Sequence, residues 1–125
     1  MAGDAGVVRA LRGATTVDED TPGHIEDRVV ALLDTLLARN EVDHDDLISI
    51  LFTATDDIVS TFPATAARTQ GLGDVPLICA RELAIVGGTP MCIRVMVHLT
   101  TERARDELHH VYLEGAGSLR DDLPA

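Results

Sequence analysis

The stretch Met91–His98, MCIRVMVH, decides how the chain is read. Its β-branched and apolar residues call for a strand, and alternation divides a strand into two faces. Ile93, Val95 and Val97 fall on one face; Cys92, Arg94, Met96 and His98 fall on the other. The first set suits a core. The second is mixed and carries a permanent cation at its centre, which points to an interface or a pocket over that face. From this strand alone Arg94 also admits a plainer reading, an apolar stem laid over the sheet with its head in solvent.

The neighbouring segments supply partners for such a strand. Gly87, Gly88 and Pro90 mark the turn into it. Val75–Ala80 (VPLICA) reads as a strand with Pro76 near its start, where a missing N–H is tolerable. Leu47–Thr55 (LISILFTAT) reads as a well-buried strand, Val7–Gly13 as an alternating first strand and His110–Glu114 as a fifth. After Thr21 and Pro22, a cap and a first helical residue, Ile25, Val29, Leu32, Leu33 and Leu36 recur at helical spacing, so one long helix buries a single stripe. Asp43–Asp46 reads as a short helical turn. Asp56–Phe62 and Ala64–Thr69 read as short helices separated by Pro63 and ended by Gly71 and Gly73, and Thr101–Leu108 as another. With Met1–Gly6 as a loose lead-in, residues 1–125 are expected to form a single domain of α+β or α/β type, a mixed sheet covered on one face by helices.

At 125 residues the chain can hold one core, and with 46% hydrophobic but only 2% aromatic residues, aliphatic side chains must fill it. A net charge of −11 has the wrong sign for nucleic acid or an anionic membrane surface, so an anionic ligand would need a local basic pocket. All ten basic residues are Arg. Arg12, Arg68, Arg94 and Arg120 sit beside element ends among small or apolar neighbours and are candidates for anion contacts; Arg28, Arg39, Arg103 and Arg105 lie among acids on solvated faces. Arg81 reads as a surface charge. Glu82 leaves a strand where loops often place functional groups. Tyr112, between Val111 and Leu113, reads by default as a half-buried core phenol.

Cys79 and Cys92 fit no metal spacing and no disulfide framework, and read as reduced thiols of a cytoplasmic protein. The five histidines lack a second ligand at helical spacing, the glycine pairs lack the context of a phosphate loop, and no Gly-x-Ser-x-Gly elbow is present. Neither a metal nor a cofactor is expected. Neither a signal peptide nor a membrane span is expected.

Taken in order, RGATTV (Arg12–Val17), SILFTATDDIVSTFPATAAR (Ser49–Arg68), VPLICARE (Val75–Glu82), the Gly87–Gly88 pair followed by CIRVMV (Cys92–Val97), and HVYLEGAGSLRDDL (His110–Leu123) resemble the monofunctional AroH-class chorismate mutases, the type first known from Bacillus. The resemblance runs over nearly the whole chain. It implies a Bacillus chorismate mutase-like fold of ferredoxin-like topology, in a homotrimer whose sheets build a pseudo-α/β barrel and whose sites lie between subunits. As activity it implies the Claisen rearrangement of chorismate to prephenate on the way to phenylalanine and tyrosine, a unimolecular step without metal or cofactor. Carried over by motif, it implies Arg94 beside the breaking ether oxygen, Glu82 as acceptor of the ring hydroxyl, Cys79 flanking that hydroxyl, and Arg12 and Tyr112 near the side-chain carboxylate. It further implies substrate contacts from Phe62, Ala64, Arg68, Leu77, Ile78, Leu119 and Arg120, with Phe62 and Arg68 supplied by the neighbouring subunit and Arg120 helping to close the site. Thr65 departs from relatives that carry lysine there. Two rivals share features of this reading: a small imine or enamine deaminase on a similar trimeric architecture, and a trimeric module that senses a small aromatic or dicarboxylic acid.

Overall fold

The computed structural model describes residues 6–119. At the middle of a five-stranded sheet lies β4 (Cys92–Thr101), between β1 (Val7–Thr16) and β2 (Leu47–Ala54). β3 (Leu77–Arg81) lies outside β2 and β5 (Val111–Tyr112) outside β1, giving the order β3-β2-β4-β1-β5. β4 runs antiparallel to both neighbours, whereas β3 is parallel to β2 and β5 to β1. The sheet is mixed, and helices cover one face of it, as the pattern of MCIRVMVH requires.

That covered face is aliphatic. α1 (Pro22–Arg39) lays Ile25, Val29, Leu32, Leu33 and Leu36 against Leu11, Ile50, Phe52, Val95 and Val97 in one cluster, all of them buried. Removing such side chains from water contributes about 1.5–3 kcal/mol each, which makes this layer the main source of stability. α1 begins where the sequence predicts: the Thr21 hydroxyl accepts the His24 N–H at 3.3 Å and Pro22 fills the first turn. Gly13 lets α1 approach closely, since a Cβ there would meet Leu32 Cδ1 and the Val111 carbonyl oxygen at 3.1 Å. α2 (Pro63–Ala67) completes the layer. Among the described residues no helix is long and apolar enough to cross a membrane.

Four short elements differ from expectation, and in three of them a side chain claims the backbone groups involved. Residues 56–62 form turns and not a helix. The Asp20 carboxylate accepts the N–H groups of Val59 and Ser60 at about 3.1 Å, removing donors a helix would use. The Val59 N–H, and after it Ser60, holds the Asp20 carboxyl below its ordinary range. Pro63 then starts α2 as its first residue instead of dividing two helices, and a single π turn (Arg68–Leu72) follows, with Gly71 at φ 98°. In place of a helix over Thr101–Leu108, Thr101 extends β4 opposite Val7 and its hydroxyl accepts the Arg103 N–H at 3.1 Å, leaving only a 3-10 turn at Arg105–Glu107. The fifth strand shrinks to Val111–Tyr112. Beside it the His110 ring takes a ladder position, its Nδ1 accepting the Arg12 N–H at 2.9 Å, and Glu114–Ser118 curls into a 3-10 turn.

The segment carrying β5 is fastened to α1 by one buried amide. Asn40, 3% exposed, donates from Nδ2 to the carbonyls of Leu36 and His109 at 2.8 Å, and its Oδ1 accepts the His109 N–H at 2.7 Å. Asn40→Ala would strand the His109 backbone groups without these partners, so a loss of about 3 kcal/mol is expected in chemical denaturation, against near-zero cost for an exposed helix position such as Ala31.

Candidate active site

The register of the sheet sets one residue from every strand in a line: Ala80, Thr53, Arg94, Ala14 and Tyr112. Directly paired residues share a face, so this line lies on the face turned away from α1. The next line on that face holds Ile78, Leu51, Met96 and Arg12. Glu82 follows β3 directly, and its N–H donates to the Ala54 carbonyl at 3.0 Å, prolonging the ladder by one residue. By alternation its side chain joins the face of Ala80 and Thr53.

Over this face lies a cavity of about 230 Å³, bordered by Arg12, Leu51, Thr53, Glu82, Arg94, Met96 and Tyr112. Arg94 Nε stands 3.5 Å from Glu82 Oε2, and the Thr53 hydroxyl donates to that same oxygen at 2.7 Å. The Arg94–Glu82 contact is ionic without hydrogen-bond alignment. Arg94 Nε is buried yet has no hydrogen-bond partner among the described residues, and the Tyr112 hydroxyl is in the same condition. Two such groups bordering one small cavity, beside a side chain that is still 44% exposed, are the pattern of a site that takes a polar ligand. An adjoining cavity of about 360 Å³ shares Arg12 and Met96 and adds Arg9, His98, Arg105 and His110. Against a net charge of −11, Arg12 and Arg94 therefore stand together on this one face, in a form suited to an anion.

Behind the line, Cys92 is 1% exposed and packs with Ala14 and Ala116, with Tyr112 and Leu119 against them. Burial pushes the Cys92 thiol up, and the positive charge of Arg94 brings it only partly back. The sulfur is thus neutral near pH 7 and places no second anion beside Arg94.

The remaining sequence candidates are placed elsewhere. Cys79 pairs with Phe52, so it points to the helix side, and it borders a separate cavity of about 520 Å³ with Val59, Phe62, Pro63 and Ala80. Phe62 is 68% exposed there. Arg68 is exposed just beyond α2, and Ala64 is buried within it. Leu77 packs on the main core, Ile78 stands 64% exposed on the line of Met96, and Leu119 is half-buried near Cys92. Arg120 lies outside the described residues. Arg12, Glu82, Arg94 and Tyr112 are thus brought together, while Phe62 and Cys79 form a second group. Arg81, read as a surface charge, donates to the carbonyls of Thr55 and Ile58 at 2.6 and 3.1 Å and ties down the turn after β2. Thr53 was not singled out by the sequence. Alternation puts it on one face with Leu51, but only the register sets it beside Arg94.

Comparison with known proteins agrees with the geometry. The family model described as chorismate mutase type I matches residues 8–123. The chain is 43% identical over 118 residues to chorismate mutase AroH of Thermus thermophilus, covering 94% of this chain and 97% of that protein. It is 39% identical over 118 residues to chorismate mutase AroH of Bacillus subtilis (strain 168), covering 94% and 93%. The solved chorismate mutase from Clostridium thermocellum superposes with a TM-score of 0.85 at 42% identity, over 86% of this chain and 96% of that one.

The buried thiol supplies a direct check. In a Cys79→Ser variant, the remaining cysteine is expected to react with a disulfide-exchange reagent at pH 8 at least about a hundredfold more slowly in the folded protein than in denaturant.

Proposed function

The chain belongs to the type I chorismate mutase family, and from that premise we propose how its own residues carry the family's reaction, the rearrangement of chorismate to prephenate in aromatic amino acid biosynthesis. Chorismate is a dianion that must fold from an extended shape into a compact chair before its ether C–O bond breaks as the new C–C bond forms. The step is unimolecular and pericyclic, so the protein's tasks are binding, orientation and charge. Arg12, at the lip of the cavity, grips the side-chain carboxylate, with Tyr112 beside it. Fixing the folded shape in advance contributes several kcal/mol, with about 7–11 kcal/mol as the limit for well-placed reactants.

Arg94 meets the ether oxygen. As that bond stretches, negative charge grows on the oxygen, and a guanidinium already aimed there stabilises the transition state more than the substrate. Glu82 accepts the ring hydroxyl and offsets positive charge developing on the ring fragment. The observation that carries this reading is the buried Arg94 Nε, without a hydrogen bond among the described residues, in a cavity shared with Arg12, Glu82 and Tyr112. Arg94→Ala is expected to lower kcat by about a hundredfold or more with the fold intact, and Arg94→Lys to recover little, because a point ammonium cannot reproduce the fork. Following chorismate absorbance in stopped assays checks both; turnover within threefold of the parent in Arg94→Ala would end the assignment. A module that only senses the ligand would bind chorismate without consuming it.

The working unit we propose is a homotrimer with its sites at subunit interfaces, the three sheets forming a barrel-like core. Phe62 and Cys79 border a cavity separate from that of Arg94, so the two groups meet over one substrate only if different copies supply them. Val59, Phe62 and Ile78, each largely exposed in the single chain, fit such an interface. Each contact then joins unlike patches of neighbouring copies, an arrangement that a threefold axis closes. The whole chain acts as one such domain, in the cytoplasm, in keeping with two free cysteines. Mixing equal amounts of Arg94→Ala and Arg68→Ala subunits through unfolding and refolding should restore roughly a quarter of the parental activity, the share of interfaces at which both halves are intact. A site contained in one chain would show no recovery.

A further inference from the structure

Glu82 has little of its own to hold its side chain still. It sits one residue past the end of β3, where the chain leaves the sheet for the exposed residues Leu83, Ile85 and Val86. Its backbone is tied back by the bond from its N–H to Ala54. A glutamate in that place has several rotatable bonds and a strong cation 3.5 Å away. Left alone, it would sample poses in which both oxygens close on the guanidinium in the fork-to-fork geometry that arginine favours. Such a pair would occupy the cation that the rearrangement needs.

Thr53 prevents this by position and by chemistry. It lies inside β2, paired directly with Arg94, so its backbone is among the most constrained at the site. A β-branched residue has few side-chain rotamers, and its hydroxyl is fixed with the strand. That hydroxyl donates to Glu82 Oε2 at 2.7 Å, the oxygen that also stands nearest Arg94 Nε. Oε1 carries no hydrogen bond among the described residues. The two oxygens therefore differ in role: one is anchored to the sheet and one is left to accept.

We infer that Thr53 is the positioning residue for Glu82: its hydroxyl anchors Oε2 so that Oε1 faces the substrate's ring hydroxyl, and in doing so it keeps Arg94 from closing into a bidentate pair. The inference rests on the role given to Glu82 above and adds a specificity determinant that acts through Glu82. Thr53→Val keeps the β-branched shape and strand preference while removing the donor; Thr53→Ser keeps the donor.

The decisive measurement is a pair of affinities. Two oxabicyclic dicarboxylates shaped like the folded transition state, one with the ring hydroxyl and one without it, are titrated calorimetrically into the parent, Thr53→Val, Thr53→Ser and Glu82→Ala. The parent should prefer the hydroxylated compound. Thr53→Val should shrink that preference by roughly tenfold while the compound lacking the hydroxyl binds nearly as before, and Thr53→Ser should keep it within about threefold. Equal weakening of both compounds by Thr53→Val would mean a merely structural role, and an unchanged preference would mean none; either overturns the inference. If Glu82→Ala leaves the preference intact, the assignment of Glu82 fails, whereas a loss in Glu82→Ala without one in Thr53→Val removes Thr53 alone.

Discussion

The register of β4 between its two antiparallel neighbours is the constraint on which the site depends. A slip of one residue in a strand exchanges its faces. Here it would drive Arg94 and His98 into the aliphatic layer and turn Ile93, Val95, Val97 and Leu99, all buried, toward the cavity. Each of those burials contributes about 1.5–3 kcal/mol, so the misregistered state is excluded by a wide margin. The core beneath α1 thus does more than stabilise the fold. It fixes, to within a side-chain rotamer, where the Arg94 cation must stand, and it brings Thr53 and Ala14 to either side of it.

Within that frame the charges are balanced without being spent on one another. A buried arginine fully paired with a carboxylate would lie in a stable pose of little use to a substrate. At 3.5 Å, with Nε lacking a hydrogen bond among the described residues, Arg94 is stabilised by the nearby anion but still has its donors to offer. An unsatisfied buried donor costs on the order of 1–3 kcal/mol, a burden the aliphatic layer can bear. The neutral Cys92 thiol belongs to the same balance. An ionised sulfur there would supply the second anion that closes the site to a dianion.

The parts of this arrangement that obey periodicity were legible in the sequence. The stripe from Ile25 to Leu36, the cap at Thr21 and the two faces of MCIRVMVH each follow from spacing, and spacing is a local property. The short elements were not legible for the opposite reason. Whether residues 56–62 become helical is decided by Asp20, far back in the chain, and whether β5 extends is decided by what the His110 ring binds. For the site, motif order led to Arg94, Glu82, Arg12 and Tyr112, which share one cavity. It could not show that Cys79 faces the opposite side of the sheet from Arg94, or that Thr53 grips Glu82, because both facts arise from strand pairing across dozens of residues.

The same layering resolves how a strongly acidic chain accepts a dianion. Acids such as Asp27 and Asp34 ride the outer surface of α1, with the helix and the sheet between them and the cavity. Those acids are exposed and solvated, and at physiological ionic strength exposed charges separated by more than roughly 8 Å are largely screened. The acids nearer the site are already engaged: Asp57 accepts the Met91 N–H at 2.9 Å, and Asp56 lies 3.5 Å from Arg81. What a ligand meets at close range is therefore Arg12 and Arg94, with Arg9 and Arg105 nearby and Glu82 as the one carboxylate among the described residues bordering the cavity. The sign of the whole chain governs solubility and distant encounters. The sign of one sheet face, set by the arginines closest to the cavity, governs what can bind there.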